Sequence, residues 1–424
     1  MQTVHLHAVT IIGQVLAGKN LNQALDAVLK NRTMLTPQER GALQDLCYGT
    51  LRFYGQLSKM LNALVLKPLS DNNLRNLLLI ALYQLQYSKA AKYAVVDHTV
   101  ETSKQINRSA GGLVNAVLRN FLRRQEELTK LAAVSEEGRY SYPQWWIDKI
   151  KAQYGESAAE ILLVGNQHPP MTLRVNKRLA KPQQYLMNLV AQGIAAQLIT
   201  PDAVLLETPL PVEKIPGFAS GEVSVQDAGA QYAASLLDIS DGMRVLDVCA
   251  APGGKSAHLL ESAEIKLVAI DIDEQRLCRV TENLQRLKLE AALLCGDAAK
   301  PNNWWDGQQF ERILADVPCS ASGVVRRHPD IKWLRRPSDI AGFAQQQAKI
   351  LDALWPLLSE GGKLLYATCS IFAEENQQNI ERFLLRQNNA KQIPVVANDL
   401  LEGQLLPNER HDGFFYALLQ KTSS

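Results

Sequence analysis

The ten residues Asp247-Val-Cys-Ala-Ala-Pro-Gly-Gly-Lys-Ser256 decide the fold class of this chain of 424 residues. They join an apolar segment, residues 244–248, to a helix, and their glycines give the turn the backbone freedom of a ligand-facing loop. From here onward apolar segments alternate with amphipathic helices, which is typical of a parallel, doubly wound α/β sheet. The predicted strands are 244–248, 266–270, 291–295, 311–315, 362–366 and 414–419, the last as an added antiparallel member. The predicted helices include 274–287, 340–358 and 374–386.

The glycine turn resembles part of a phosphate-binding loop, but the rest of that motif is missing. A Walker loop needs glycine at position 249, where this chain has Cys249. The glycine pattern of a dinucleotide-binding turn is also incomplete. Backbone amides at a helix start can still face a ligand. The turn therefore favours a ligand without a phosphate chain.

Two acids follow the next two predicted strands. Asp271 ends the second strand, which suits a carboxylate that accepts hydrogen bonds from both hydroxyls of a ribose. Gly296-Asp297 follows the third strand and could meet the amino group of an adenine. Either acid alone could be a helix cap. Together with the turn they favour a non-phosphorylated adenosine ligand.

Two short segments each deliver a thiol to the carboxyl end of a predicted strand. They are Asp316-Val-Pro-Cys319 and Ala367-Thr-Cys-Ser370. Open α/β sheets bind their ligands at this edge, so the two thiols should converge on one crevice. A free cysteine is more often a buried, inert side chain. Two cysteines beside a carboxylate nevertheless suit covalent chemistry on an electron-poor ring.

Length and composition limit the class of protein. The chain is too long for one core, so two or three domains are expected. The six cysteines and seven histidines show no zinc-ligand spacing, so we expect no metal site. No apolar run has the length of a membrane span, and the N-terminus lacks the pattern of a signal peptide. We expect a cytoplasmic protein, and a monomer by default.

The sequence divides into three regions. Residues 1–140 are predicted to be all-helical, and Thr36-Pro-Gln-Glu39 is a capping box that opens a helix expected to extend to Lys59. Residues 141–225 are predicted to form a small α/β subdomain. Residues 226–424 contain the doubly wound sheet. In the first region six apolar residues follow helical spacing, with Arg119 and Arg123 on the opposite face: Leu113, Val114, Val117, Leu118, Phe121 and Leu122.

Charge is unevenly distributed. Residues 1–140 hold 17 Lys and Arg against 10 Asp and Glu, and the remaining residues hold 28 against 33. A basic module beside a near-neutral body indicates a polyanionic partner, although an ordinary solvated surface explains the charge equally well. A second basic segment, Val325-Arg-Arg-His-Pro-Asp-Ile-Lys-Trp-Leu-Arg-Arg336, suits phosphate contact and base stacking, with a solvated loop as the alternative. Its predicted RNA contacts are Arg326, Arg327, Lys332, Trp333, Arg335 and Arg336.

These motifs occur in the order seen in RNA cytosine-C5 methyltransferases, and the chain resembles that family. The resemblance rests on the ten-residue turn, Ile-Asp-Ile-Asp273, Gly-Asp297, Asp-Val-Pro-Cys-Ser320 and Tyr-Ala-Thr-Cys-Ser370. Leu173-Arg-Val-Asn176 resembles the family's ancillary subdomain, and residues 1–140 resemble the RNA-binding fold of the antiterminator NusB. The full architecture is similar to a bacterial subgroup that acts on 16S ribosomal RNA.

The resemblance implies a Rossmann-like domain that uses S-adenosylmethionine (AdoMet). It implies a methyl transfer to C5 of a cytosine in 16S RNA, cytosine 967 in that subgroup, either in naked RNA or in an early small-subunit particle. Cys369 would add to C6 of the base, Cys319 would assist product release, and Asp316 would hold the cytosine. The implied cofactor residues are Cys249, Ala250, Ala251, Pro252, Gly253, Gly254, Lys255, Asp271, Asp297 and Asp316.

Three alternatives stay open from the residues. DNA cytosine methyltransferases use the Pro-Cys thiol as nucleophile, so Cys319 is a rival to Cys369. A non-catalytic RNA scaffold is a second possibility, although both thiols and all three acids are present. An amino-group methyltransferase is the third, and it is disfavoured because such enzymes typically have an aromatic residue where Cys319 follows Pro318.

Overall fold

The computed structural model describes residues 2–30, 35–396 and 399–423. The helices are α1 (Gln2–Leu16), α2 (Leu21–Lys30), α3 (Pro37–Arg52), α4 (Tyr54–Leu64), α5 (Asn72–Tyr87), α6 (Lys92–Ile106), α7 (Gly111–Ala132), α8 (Glu136–Tyr140), α9 (Gln144–Tyr154), α10 (Ala158–Val164), α11 (Pro182–Ala191), α12 (Ala228–Leu236), α13 (Gly254–Ser262), α14 (Glu274–Leu287), α15 (Ile331–Leu334), α16 (Pro337–Leu354) and α17 (Gln377–Arg386). The strands are β1 (Met171–Val175), β2 (Ala196–Leu198), β3 (Ala203–Leu206), β4 (Val223–Val225), β5 (Arg244–Val248), β6 (Lys266–Asp271), β7 (Ala292–Cys295), β8 (Phe310–Asp316), β9 (Leu358–Thr368), β10 (Ala390–Ile393), β11 (Gln404–Leu405) and β12 (Phe414–Lys421). No helix in these described ranges combines the length and the apolar character that a membrane crossing requires.

The chain forms two compact units. Unit 1 comprises Met1–His168 together with Val325–Pro337, and unit 2 comprises Pro169–Val324 with Ser338–Ser424. This grouping differs from the predicted three-part division in two respects. Residues 141–168 group with unit 1, whereas the rest of the predicted subdomain groups with unit 2. The basic segment 325–337 groups with unit 1 although it lies within the sequence of residues 226–424.

Unit 1 is helical, as its sequence pattern predicts. Helix α5 is its centre, because Leu77, Leu78 and Ile80 are all inaccessible and residues 76–85 are buried on every side of the helix. The capping box predicted at Thr36 is present at the start of α3. The helix that it opens ends at Arg52, not at Lys59, because Phe53 leaves the helical conformation before α4 begins.

Helix α7 confirms the amphipathic pattern predicted for the end of the helical region. Val114, Val117, Leu118 and Phe121 are buried, whereas Arg119 and Arg123 are exposed. Leu113 was predicted on the buried face but is exposed, and Leu122 is half-buried. The backbone departs from helical geometry at Arg124, so the helix is kinked there. The cationic side of α7 therefore faces solvent.

Unit 2 contains two sheets. The smaller sheet is antiparallel in the order β2-β3-β1-β4, and Leu173, Val175, Tyr185 and Leu189 contribute to a core between it and α11. Residues 171–225 therefore have the small α/β architecture that the sequence predicts for residues 141–225. Strands β1 and β3 end one residue before the segments 171–176 and 203–207, which the sequence predicts to be strands.

The larger sheet has the order β10-β12-β9-β8-β5-β6-β7, with β11 paired to β12. Strands β5 to β9 are parallel, and β12 runs antiparallel to β9 as the sequence predicted. Apolar side chains of α12, α13 and α14 fill one face, and those of α16 and α17 fill the other. The strand order reverses at β5, because the chain passes from β5 to β6 and β7 and then returns to β8. A crevice at the carboxyl ends of β5 and β8 is where such folds bind ligands.

Candidate active site

The two predicted thiols meet beyond the carboxyl ends of neighbouring strands. Asp316 is the last residue of β8 and lies in register with Ala367 of β9. Cys319 follows β8 and Cys369 follows β9 directly. Their Sγ atoms are 3.3 Å apart, within hydrogen-bonding distance for sulfur. The structure therefore brings together the two segments that the sequence placed at one edge of the sheet.

The two thiols have different environments. Cys319 is buried, whereas Cys369 is half-buried. The hydrogen bond to Cys369 raises the pKa of the Cys319 thiol well above its usual value, and burial and the charge of Glu375 add to this effect. Cys319 is therefore a protonated thiol at neutral pH. In this state it can donate a hydrogen bond to the Cys369 sulfur.

A carboxylate and an ammonium group lie beside the thiols. Lys255 Nζ donates to Asp316 Oδ2 over 2.6 Å, and the ammonium also lies 5.6 Å from the centre of the Phe414 ring. Burial lowers the pKa of Lys255, but the charge of Asp316 and the hydrogen bond to it outweigh burial and raise the pKa. Asp316 is thus held as a carboxylate with one oxygen committed to Lys255. Its second oxygen is available to a ligand, since a carboxylate has about four acceptor positions.

The turn after β5 has the geometry of a ligand loop. Gly253 caps α13 with φ of +94°, and a side chain there would lie only 3.0 Å from Val280 Cγ1. Both the positive φ and the short distance to Val280 favour glycine at this position. Behind the turn, Asp247 is inaccessible and accepts a bond of 2.5 Å from Ser256 Oγ. Burial raises the pKa of Asp247 to about 7.

Asp247 also supplies a test of whether an adenosine-type ligand fits. Its Oδ1 atom is buried and has no hydrogen-bond partner among the described residues. Buried acceptors are normally satisfied, so a donor from a ligand would complete this one. The residues of the turn therefore fit the predicted cofactor.

The two other predicted acids are already engaged with the protein. Asp271 accepts from the backbone N–H of Ala251 at 3.1 Å and forms an ion pair with Arg276 at 3.5 Å. Asp297 accepts from the backbone N–H of Ala299 at 3.0 Å and is partly exposed. Each lies at the end of its strand, as predicted. Asp271 fixes the turn itself, so its role includes shaping the loop that holds the ligand.

A buried arginine supports the same turn, and no pattern in the sequence indicated it. Arg174 of β1 donates to the carbonyl oxygen of Gly254 at 2.8 Å and to Gln226 Oε1 at 2.6 Å. Its other two bonds, of 2.9 and 2.7 Å, go to the carboxylate of Glu261. The smaller sheet therefore holds the start of α13 through a charged pair that water does not reach.

A buried carboxylate, Glu375, lies between the two cysteine loops. It accepts hydrogen bonds from Ser320 and Ser370, the residues that follow Cys319 and Cys369. The sequence motifs include Ser320 and Ser370 but predict no role for either serine or for Glu375. The repeated Cys-Ser pair was a usable signal for the serines, whereas nothing local to Glu375 indicated its partners.

The basic segment requires a correction. Lys332 is inaccessible, and its Nζ donates to the carbonyl oxygen of Arg52 and to Asn166 Oδ1, both at 2.7 Å. Arg326 is also buried, and its carbonyl oxygen accepts from Arg52 Nη2. Trp333 Nε1 donates to the carbonyl oxygen of Leu51 at 2.7 Å. The prediction that Lys332 and Arg326 contact RNA is therefore wrong for this structure, because both are buried inside unit 1. Trp333 is half-buried, and its RNA contact stays a prediction.

The remaining members of that predicted set lie nearer the surface. Arg336 is exposed, and Arg327 and Arg335 are half-buried. A ligand can reach Arg336 without unfolding the segment. Periodicity could not distinguish the two groups, because the acceptors that bury Lys332 lie far away in the sequence.

Comparison with known proteins agrees with this geometry. A sequence model described as "16S rRNA methyltransferase RsmB/F" matches residues 234–420, its associated ferredoxin-like domain matches 142–213, and the NusB family matches 3–123. The ribosomal RNA small subunit methyltransferase B of Yersinia enterocolitica serotype O:8 / biotype 1B is 46% identical over 98% of this chain and 97% of its own length. The chain belongs to the RsmB/F family of 16S rRNA methyltransferases. Family membership confirms the Rossmann-like methyltransferase domain and the NusB-like helical region.

Solved structures have a fold similar to that of this RsmB/F family member. The crystal structure of PH0851 covers 98% of this chain and 99% of its own, with 26% identity and a TM-score of 0.78. The structure of NSun6 from Pyrococcus horikoshii with SFG covers 66% of this chain and 99% of its own, with 21% identity and a TM-score of 0.60. At that identity the second likeness shows the fold alone.

Proposed function

We propose that this chain transfers a methyl group from AdoMet to C5 of a cytosine in 16S ribosomal RNA, cytosine 967 by resemblance. The observation that carries the proposal is the pair of thiols 3.3 Å apart beside the Asp316–Lys255 ion pair. A simple amino-group transfer needs no thiol. Carbon methylation of a pyrimidine does, because C5 of cytosine is a weak nucleophile until another atom adds to C6.

Cys369 performs that addition in the proposed mechanism. Its thiolate forms a bond to C6, and the electron pair of the C5–C6 double bond shifts onto C5 and the ring. AdoMet supplies an electrophilic methyl group to C5 when it is bound. The free oxygen of Asp316 accepts from the cytosine amino group and holds the ring edge. Lys255 holds Asp316 in place through their hydrogen bond of 2.6 Å.

Cys319 acts in the second half of the reaction. After methyl transfer, the proton on C5 must leave so that the C6–sulfur bond can break and the ring can regain its double bond. Cys319 lies next to the nucleophile and is held as a neutral thiol, so it can relay a proton at this site. The electron pair of the C5–H bond re-forms the C5–C6 double bond while the C6–sulfur bond breaks, and Cys369 leaves as a thiolate. The C5 proton passes to solvent by way of the Cys319 thiol.

The proposed holder of AdoMet is the turn from Cys249 to Lys255, with Asp271, Asp297 and Asp316 around it. The unsatisfied Oδ1 of Asp247 supports this placement. The SFG named with NSun6 fits the same class of ligand. We expect the protein to act as a monomer in the cytoplasm, on naked RNA or on an early small-subunit particle.

Labelled methyl transfer tests the assignment. The wild-type chain, Cys369→Ala and Cys319→Ala are incubated with naked 16S RNA and AdoMet labelled in its methyl group. We expect Cys369→Ala to form neither product nor adduct. Cys319→Ala should accumulate a covalent protein–RNA complex on a denaturing gel. Cys278→Ala is the control, because Cys278 is exposed on α14.

The outcomes separate the alternatives. A covalent complex in Cys369→Ala would exchange the roles of the two thiols. Absence of labelled RNA with the wild-type chain on both naked RNA and small-subunit particles would favour the RNA scaffold. Normal methylation by Cys369→Ala would refute the proposal. Bisulfite sequencing of the product identifies the methylated cytosine.

A further inference from the structure

Glu375 occupies an unusual position for an acidic residue. It lies in the turn between β9 and α17 and is fully inaccessible. Asp and Glu are almost never fully buried unless they are paired. No cation pairs with Glu375 among the described ion pairs of the chain. Its carboxylate is instead satisfied by neutral donors.

Four donors converge on this carboxylate. Oε1 accepts from the backbone N–H of Ser320 at 2.7 Å and from Gln347 Nε2 at 3.1 Å. Oε2 accepts from Ser320 Oγ and from Ser370 Oγ, both at 2.6 Å. These four bonds occupy all of the acceptor positions, about four, of an ionised carboxylate. Burial raises the pKa of Glu375, and the bonds from the serines and Gln347 oppose that rise.

The donors come from the two loops that carry the thiols. Ser320 follows Cys319, and Ser370 follows Cys369. The third partner, Gln347, belongs to α16 and is itself fixed, because its Oε1 accepts from Tyr366 Oη at 3.0 Å. Tyr366 Oη also lies 2.6 Å from the carbonyl oxygen of Glu375. The side chain and the backbone of Glu375 are thus both tied to rigid elements of unit 2.

The hydrogen bonds that join Glu375 to both cysteine loops have a consequence for catalysis. Covalent addition requires reacting groups to be held within about 0.5 Å of the productive geometry. The two thiols lie on separate loops, and the strand hydrogen bonds between β8 and β9 end before either cysteine. Beyond the ends of the strands, the Glu375 carboxylate joins the two loops through its hydrogen bonds from Ser320 and Ser370.

We propose that Glu375 is a positioning residue that sets the separation of Cys319 and Cys369. The inference rests on the proposed function for its catalytic meaning, because it concerns the spacing of the two thiols of that reaction. Glu375 does not touch the reacting atoms. It acts through Ser320 and Ser370.

Thiol cross-linking in the full chain measures the spacing without RNA or AdoMet. The oxidant diamide accepts two electrons and two protons from a pair of thiols and leaves a disulfide between them. Peptide mapping by mass spectrometry follows the rate of the Cys319–Cys369 product. We expect Glu375→Ala to lower this rate at least about tenfold, and Glu375→Gln to stay within about threefold of wild type. The amide introduced by Glu375→Gln would keep one oxygen as acceptor, while the serine hydroxyls can turn to accept from its NH₂ group.

The matched control is Glu261→Ala, which removes another buried carboxylate from the same unit. It should change the cross-linking rate less than about twofold although it destabilises the fold. In methyl transfer, Glu375→Ala should lower kcat about 100-fold, the size of effect expected when a reacting group is misplaced by about 1 Å. Its Kd for AdoMet, measured by calorimetry, should stay within about threefold of wild type.

Three results would overturn the inference. They are a wild-type cross-linking rate in Glu375→Ala, an equal loss of rate in Glu261→Ala, or a loss of AdoMet binding that matches the loss of kcat. If Glu375→Ala does not fold, Ser370→Ala replaces it, since this change cuts the link to the loop of Cys369 and should slow cross-linking at least about threefold. An unchanged rate there counts against the inference. If Cys369→Ala remained active, the proposed function would fail while the cross-linking result still stood.

Discussion

The buried pair of Arg174 and Glu261 supports a quantitative prediction about unit 2. The side chains are 0% and 4% exposed, and two parallel hydrogen bonds join them. Substitution Glu261→Ala leaves the guanidinium inside with only its bonds to Gln226 and Gly254. Removal of one partner of a buried pair costs about 3–5 kcal/mol, because the remaining charge has no compensation.

The expected loss can be converted into a melting temperature. In domains of this size about 1 kcal/mol shifts Tm by roughly 2–4 °C, so Glu261→Ala should lower Tm by about 6–20 °C. Asp352→Ala is the matched control, because it breaks the Arg386–Asp352 pair, whose side chains are 42% and 43% exposed. Exposed pairs contribute about 0–1 kcal/mol, so Tm should fall by no more than about 4 °C.

Thermal and urea unfolding of the full chain provide the assay. The double variant Arg174→Met, Glu261→Met removes both charges and should recover much of the loss of Glu261→Ala. It should still bind AdoMet more weakly than wild type, because the bond from Arg174 to the Gly254 carbonyl is gone. Equal effects of Glu261→Ala and Asp352→Ala on Tm would refute the reasoning.

The further predictions concern three places: Lys255, Asp247 and the basic segment. Lys255→Met should lower kcat/KM for RNA about 100-fold in steady-state kinetics, since Asp316 loses the ammonium group that holds it in place. Asp247→Asn should change how the free energy of unfolding depends on pH. The native carboxyl has a pKa of about 7, above its unfolded value of 3.8, so the free energy of unfolding of the wild-type chain falls as pH rises from about 4 to 7. The asparagine variant should lack up to about 4 kcal/mol of that decline in urea titrations. Lys332→Ala should cost about 2–4 kcal/mol in unfolding free energy through lost packing and unsatisfied acceptors. Arg336→Ala should leave stability unchanged and reduce the salt dependence of RNA binding.

Each prediction has a result that contradicts it. Wild-type kinetics in Lys255→Met would show that the ion pair with Asp316 is dispensable. Parallel pH curves for Asp247→Asn and the wild-type chain would show that Asp247 does not titrate between pH 4 and 7 in the fold. A stable Lys332→Ala variant with weakened RNA binding would restore the original prediction that this lysine contacts RNA.

The sequence determined by itself those parts of the molecule that depend on neighbours along the chain. Strand β5 and helix α14 have the predicted bounds, and β6, β8, β9 and β12 contain the predicted segments. Their period-2 and period-3.6 patterns are local signals. The capping box at Thr36 and the glycine turn before α13 are local in the same sense. Because parallel strands end at one edge, the sequence could also predict that the two cysteine loops would converge.

The tertiary structure alone decided which polar side chains were buried and by what. Lys332 is far in sequence from the carbonyl oxygen of Arg52 that accepts its hydrogen bond. The sequence pattern therefore predicted a surface cation. Glu375 and Arg174 depend in the same way on donors and acceptors from other elements. The break of the first capped helix at Phe53 and the short strands β10 and β11 also escaped prediction. A buried charge is stabilised only by partners that the fold brings to it, and a linear pattern of residue types does not contain their identity.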